Sequence, residues 1–154
     1  MIIISHRGNI SGRIKSLEND PEQIVSTLEQ GYHCEIDVNY IKEHNHLSLG
    51  HNGPAHVIDK SFLTKKNLWC HAKNVDALEL MITMNIEHFF FHQRDAYTLT
   101  SSRYIWTFPG EQTTNTSRCI VVTPELLKVY LYKNAAGICT DFPEHYKTRE
   151  RKIK

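Results

Sequence analysis

No apolar run in the chain approaches the roughly 20 residues that a membrane-spanning helix needs, so stable insertion into a bilayer is not expected. The opening run, Met1 to Ile4, is too short for a secretory signal and has no basic leader. A strand is therefore expected to begin at the N-terminus itself. Charge of one sign is also missing. Eighteen Lys and Arg against 17 Asp and Glu leave a net charge of +1, without the electrostatic footprint of a general nucleic-acid binder. Cysteine is scarce and scattered. Cys34, Cys70, Cys119 and Cys139 show no Cys-x-x-Cys spacing and fall in strand-like apolar runs. They read as reduced core thiols of a cytoplasmic protein. There is no internal repeat and no low-complexity linker.

What is present suffices for one domain. The 154 residues, 40% hydrophobic and 23% charged, are enough for one real core and too few for two. A single domain is expected over 1–146, followed by a basic tail, 147–154, whose five Lys or Arg suggest a frayed, solvated end. Ile2 to Ser5 reads as a buried strand ended by His6-Arg7-Gly8. Asp20 and Pro21 open a helix that Gly31 stops. Cys34 to Val38 is a central strand with a hairpin-like return through Leu47 to His51. Leu68 to Lys73 is a strand, and Ala77 to Met84 a helix. Further strands are expected at His88 to His92, Tyr104 to Phe108, Cys119 to Thr123 and Gly137 to Thr140. A short helix is expected over Leu126 to Tyr132, while Tyr97 to Thr100 leaves the strand count at seven or eight. Strands alternating with helices predict a mostly parallel sheet.

The chemistry gathers around Cys34-Glu35-Ile36-Asp37-Val38. In a strand, Glu35 and Asp37 leave one face while three apolar side chains leave the other. Two carboxylates held so close need a counter-charge, either a divalent metal or a cluster of Arg, Lys and His. On this stretch alone, the wet face of an edge strand explains them slightly better. Other strand ends change the balance. His6-Arg7 closes the first strand, His51 the return, and His92-Gln93 and Asp141 close later strands. His71 and Lys73 share a face on a third. Apolar strands that each finish in ionisable groups are the pattern of a parallel barrel, where chemistry collects at the carboxyl ends.

These residues also carry a resemblance. His6-Arg7-Gly8, Glu18-Asn19, Glu35-Ile36-Asp37-Val38 and Gly50-His51 resemble the His-Arg-Gly, Glu-Asn, Glu-x-Asp-Val and His-Asp pattern of the glycerophosphodiester phosphodiesterase family, in order and at similar spacing. Gly137-Ile138-Cys139-Thr140-Asp141-Phe142-Pro143 is similar to its closing Gly-Ile-x-Thr-Asp-x-Pro. The N-terminal set spans about a third of the chain. The chain departs from the pattern at two points: His71 stands where the family carries a metal-binding Glu, and Asn52 where it carries an Asp. The resemblance implies an α/β fold, a (β/α) TIM-type barrel. At this length the barrel must be pared down, with several helices shortened or missing, since about 250 residues is usual.

The resemblance and the side-chain chemistry together imply a metal-dependent phosphodiester hydrolase. Glu35, Asp37 and His71 would hold a divalent ion, Mg²⁺ or Ca²⁺ by the carboxylates, with Mn²⁺ or Zn²⁺ favoured by an imidazole ligand. Arg7 and Lys73 would bind the phosphate. His6 and His51 would share general acid and base work, in either order, with Glu18 and Asn19 supporting them. The nucleophile would be a neighbouring substrate hydroxyl or a metal-activated water. The expected partner is a small phosphodiester, not nucleic acid, and a homodimer would cover outer strand faces left bare by missing helices. The alternative is a non-catalytic phosphate-binding barrel of the same descent. Phe89-Phe90-Phe91 and Trp106 are expected to be core, and His33 and His88 surface or structural.

Overall fold

The computed structural model describes residues 1–111, 117–126 and 131–153. Along the chain come β1 (Ile2–His6), α1 (Pro21–Glu29), β2 (His33–Ile41), β3 (His46–Leu49), β4 (His56–Val57), β5 (Leu68–Ala72), α2 (Val75–Thr83), β6 (Phe89–Phe91), β7 (Tyr97–Leu99), β8 (Ile105–Thr107), β9 (Cys119–Val122), β10 (Gly137–Thr140) and α3 (Pro143–Ile153). Local chemistry starts the first two helices. Asp20 accepts from the Glu22 and Gln23 amides ahead of Pro21, and the Asn74 side chain accepts from Ala77 N. Each such cap is worth about 1 kcal/mol.

β8, β9, β10, β1, β2, β5 and β6 run parallel as successive neighbours in one sheet. β3 returns antiparallel along the end of β2 and carries β4, and β7 lies antiparallel on β8. The sheet is curled. Six steps separate β6 from β8, roughly 29 Å if the sheet were flat at ~4.8 Å per step. Yet the rings of Phe90 and Trp106 stack 4.4 Å apart. Thr98 Oγ1 also donates to Phe91 O at 3.1 Å, and Ser101 N to Phe89 O at 2.9 Å.

The period of two sorts the side chains onto the faces of this curl. Ile4, Trp69, Phe90, Trp106, Ile120, Val122 and Cys139 form one cluster on the concave face. Cys34, Ile36 and Val38 point the other way, into a layer with Ile24 of α1 and Ala77 and Met81 of α2. Val121 and Ile138 on that convex face pack with Tyr146 of α3. Helices cover only part of the convex side, and on β7 Leu99 is 68% exposed. All four cysteines are buried, as expected, and none forms a disulfide. Among the described residues no helix is long and apolar enough to cross a membrane.

The mixed α/β architecture with few helices agrees with the sequence. Tyr97–Leu99 is a strand, and antiparallel β4 is an addition that two residues could not announce. The 146/147 boundary falls inside α3, which runs from Pro143 to Ile153. Pro143 suits a first helical turn, Tyr146 is buried, and Lys147 Nζ donates to Gln30 O at 3.0 Å while lying over the Tyr32 ring. The helix expected over Leu126 to Tyr132 lies partly outside the described residues; short 3-10 turns flank the gap.

At the amino ends of the strands the Trp69 indole donates to His33 Nδ1 at 3.1 Å, and His88 stacks on its face at 4.1 Å. Burial lowers the pKa of both histidines from 6.5, so the fold favours their neutral forms. A depressed histidine contributes stability above its unfolded pKa of about 6.5 and loses it as pH falls below that value. The urea midpoint is therefore expected to fall between pH 7 and pH 5. In His33→Gln, whose amide oxygen can still accept from Trp69, that slope should shrink. An unchanged slope would show that this cluster does not titrate with unfolding.

Candidate functional site

The site begins where β1 ends. Arg7 N still donates to Glu35 O at 3.0 Å, extending the β1–β2 ladder, but Arg7 then turns into the left-handed region at φ 56°. A non-glycine residue there costs about 1–3 kcal/mol and is held by its surroundings. Here Asn19 N donates to Arg7 O at 3.0 Å, Ser5 Oγ to Asn9 O at 2.7 Å, and Gln23 Nε2 to Gly8 O at 2.9 Å. The twist carries the Arg7 side chain back over the end of β2.

There Asp37 is fully buried, and five groups converge on its carboxylate. Asn19 Nδ2 donates at 3.0 Å, while Arg7 Nε lies at 2.9 Å, His71 Nδ1 at 3.2 Å, His51 Nδ1 at 3.2 Å and Lys73 Nζ at 3.3 Å. The Arg7 Nε–H is not aimed at the oxygen, so that contact is an ion pair rather than a directed hydrogen bond. Burial opposes the charge on Asp37, but the donors and cations around it, His71 and Arg7 among them, outweigh it and hold the pKa well below the usual carboxylate range. Asn19 also accepts from Asp37 N at 2.8 Å. Glu18 meets Arg7 at 3.3 Å and Arg13 at 2.6 Å.

Asn19 thus fixes Asp37 at two points from a left-handed backbone of φ 61°, which asparagine tolerates better than alanine. Asn19→Ala is expected to cost about 2–4 kcal/mol, since it removes two buried hydrogen bonds, one of them to a charge. A denaturant titration measures this; a loss under about 0.5 kcal/mol would place the rigidity of Asp37 elsewhere.

Glu35 is the contrast. It is 3% exposed, and its Oε2 has no hydrogen-bond partner. Its nearest base is His71, whose Nδ1 lies 3.7 Å from Oε1. His71 Nε2 donates to the His92 carbonyl at 2.8 Å, which turns Nδ1 towards the two carboxylates. Burial works against a charged His71, but Asp37 and Glu35 prevail and raise it to about 9. Ligand atoms of Glu35, Asp37 and His71 all lie within 4.8 Å of one another. An orphaned carboxylate oxygen beside an imidazole nitrogen with its other nitrogen already engaged fits a divalent cation. His92 does not join the cluster, because its Nε2 contacts the Asp95 carbonyl.

The two remaining histidines are held in opposite senses. His6 Nδ1 donates to Asp141 Oδ1 at 2.9 Å, and Asn9 Nδ2 donates to the same oxygen at 2.8 Å. Burial disfavours the imidazolium, yet Asp141 and Glu35 raise the His6 pKa above 6.5, while His6 in turn lowers Asp141. With Nδ1 protonated, neutral His6 carries its lone pair on Nε2. His51 Nδ1 accepts from Arg7 Nη2 at 2.8 Å. That nitrogen cannot also donate to Asp37 in the same state, and a permanently protonated guanidinium at the shorter distance decides the matter. Neutral His51 therefore carries its proton on Nε2. Gly50 allows the turn that delivers it: φ is 150°, and a Cβ would lie 2.1 Å from Gly53 O.

His6, Arg7, Glu35, His51, His71 and Lys73 line one cavity of about 470 Å³ at the carboxyl ends of the strands. Asp37 lies beneath it, and Glu18 and Asn19 support it from behind. Sequence reasoning named Asp141 only as a strand end and a motif member, and overlooked Asn9 and Arg13. Aspartate beside histidine across 135 residues leaves no local signal. Trp106, expected as core, also lines the cavity with Phe108, while Phe91 packs in the convex-face core. A comparison with protein-family models, curated proteins and solved structures finds no match to this chain.

Proposed function

We propose that the chain is a metal-dependent phosphodiester hydrolase acting on small glycerophosphodiester-like substrates, on a pared-down (β/α) TIM-type barrel. Two histidines with opposite tautomers at one cavity carry this reading, since a plain binding site needs no matched donor and acceptor. The barrel is supported by the parallel order from β8 to β6 and by the hydrogen bonds that Thr98 and Ser101 make to β6.

Glu35, Asp37 and His71 would hold the ion; Asp37 already serves Asn19, Arg7, His71 and Lys73, which leaves Glu35 the donor with most free capacity. A divalent cation there supplies Lewis-acid stabilisation of charge on the phosphoryl oxygens. Arg7 and Lys73 neutralise and orient the phosphate. His6 Nε2 takes the proton from the attacking hydroxyl, of the substrate or of water, as the new P–O bond forms. The bond to the departing alcohol breaks, and His51 Nε2–H protonates its oxygen. Asp141 aligns His6 and stabilises its imidazolium.

Phosphorus NMR of glycerophosphodiesters incubated with the protein and Mg²⁺, Ca²⁺, Mn²⁺ or Zn²⁺ tests the proposal. A phosphomonoester or cyclic phosphate signal is expected. Asn52 and His71, where the similar family has carboxylates, favour the second reading, a phosphate-binding module. Phosphate binding with no new signal under any metal would establish that module instead.

A further inference from the structure

We infer that the departing alcohol of the substrate carries an aromatic ring, seated on a wall made by Trp106, Phe108 and Pro109. This rests on the phosphodiesterase reading and goes further by naming the group on one side of the phosphorus. The cavity is divided. Arg7, Lys73, Glu35 and the three histidines form one side, and Trp106, Phe108, Pro109 and Val122 supply the apolar lining. The wall is built rather than incidental. Trp106 is 4% exposed and fixed by its stack on Phe90, and the Phe108 ring meets His92 edge-on at 5.7 Å and 85°. His92 is itself anchored to the Asp95 carbonyl. Phe108 nevertheless remains 37% exposed, a large aromatic surface left open beside a charged site.

Charge and size select the occupant. Glycerol hydroxyls against this wall would find no side-chain partner among its apolar residues, a loss relative to water. An ammonium headgroup would have aromatic faces but also Arg7 and Lys73 across the cavity, and no carboxylate among the wall residues to offset them. A neutral flat ring gains stacking and burial without either cost. About 470 Å³ is at the small end for small-molecule sites and accommodates a phosphate with one ring rather than paired acyl chains.

The test compares phenylphosphonate with methylphosphonate by calorimetry on the metal-loaded protein, and glycerophosphophenol with glycerophosphocholine in turnover, for wild type, Phe108→Leu and Phe108→Ala. Phenylphosphonate is expected to bind about tenfold tighter than methylphosphonate, with that ratio reduced to about twofold in Phe108→Ala and intermediate in Phe108→Leu. The Phe108→Ala loss in kcat/KM should be about tenfold greater on the phenyl diester than on the choline diester, and should appear in KM. Equal binding of the two phosphonates would overturn the inference, as would a larger loss on the choline diester. Because Phe108 is partly exposed, its replacement leaves the core intact. Should wild type turn over neither diester, the hydrolase reading fails while the phosphonate ratio still decides the ring site.

Discussion

Replacing His6 by alanine is expected to lower kcat about 10²–10⁴-fold while divalent-ion binding persists. The imidazole is tied to Asp141 through Nδ1, and none of its atoms belongs to the Glu35–Asp37–His71 group. Its removal takes away the proton acceptor without touching the ligands. Asp141→Asn should give a smaller loss, because the ring keeps a hydrogen-bond partner but not the negative charge that favours its imidazolium. The acid limb of the rate profile should move to lower pH in that variant, since Asp141 is among the groups that raise His6. A His6→Ala protein that no longer binds metal would make His6 a ligand and remove its proton-transfer role.

Glu35→Gln is the second large effect, a loss of about 10³-fold in turnover with weakened metal binding. Glu35 is the only one of the three grouped residues with a wholly orphaned buried oxygen, and its other oxygen makes one long ion pair, to His71 Nδ1 at 3.7 Å, among the described residues. Neutralising it removes a ligand, and the long ion pair lost to His71 is offset by relief of its repulsion with Asp37. The Tm of the metal-free variant is therefore expected not to fall, which separates a functional carboxylate from a structural one. Asp37→Asn should behave differently. Asp37 holds Arg7, Lys73 and His71 in place, and Arg7 in turn holds His51, so its loss should reduce stability and activity together.

Where the sequence was legible, strong local chemistry was the cause. Asp20-Pro21 marked α1, and the alternation of Cys34 to Val38 placed Glu35 and Asp37 on one face with Ile36 opposite, as observed. The parallel sheet followed from strands alternating with helices. Three features escaped for physical reasons. α3 has a charged, polar sequence whose helical state depends on Tyr146 and Lys147 docking against distant residues. β4 is two residues long and exists only by pairing with β3. The tautomers of His6 and His51 depend on Asp141 and Arg7, 135 and 44 positions away, which no local spacing encodes. Trp106 read as core and is buried in the concave-face cluster, while its place at the cavity edge stayed hidden because an aromatic strand looks the same whether its rings face a cavity or packed neighbours.

The most direct test is hydrolysis of a chromogenic phosphodiester by chelator-treated wild type and Glu35→Gln, with divalent metals returned one at a time. Turnover is expected to vanish on chelation, to return in wild type with at least one of Mg²⁺, Ca²⁺, Mn²⁺ or Zn²⁺, and to stay near background in Glu35→Gln. Folded wild type that hydrolyses nothing under every metal, or that hydrolyses equally well without any, would contradict the account.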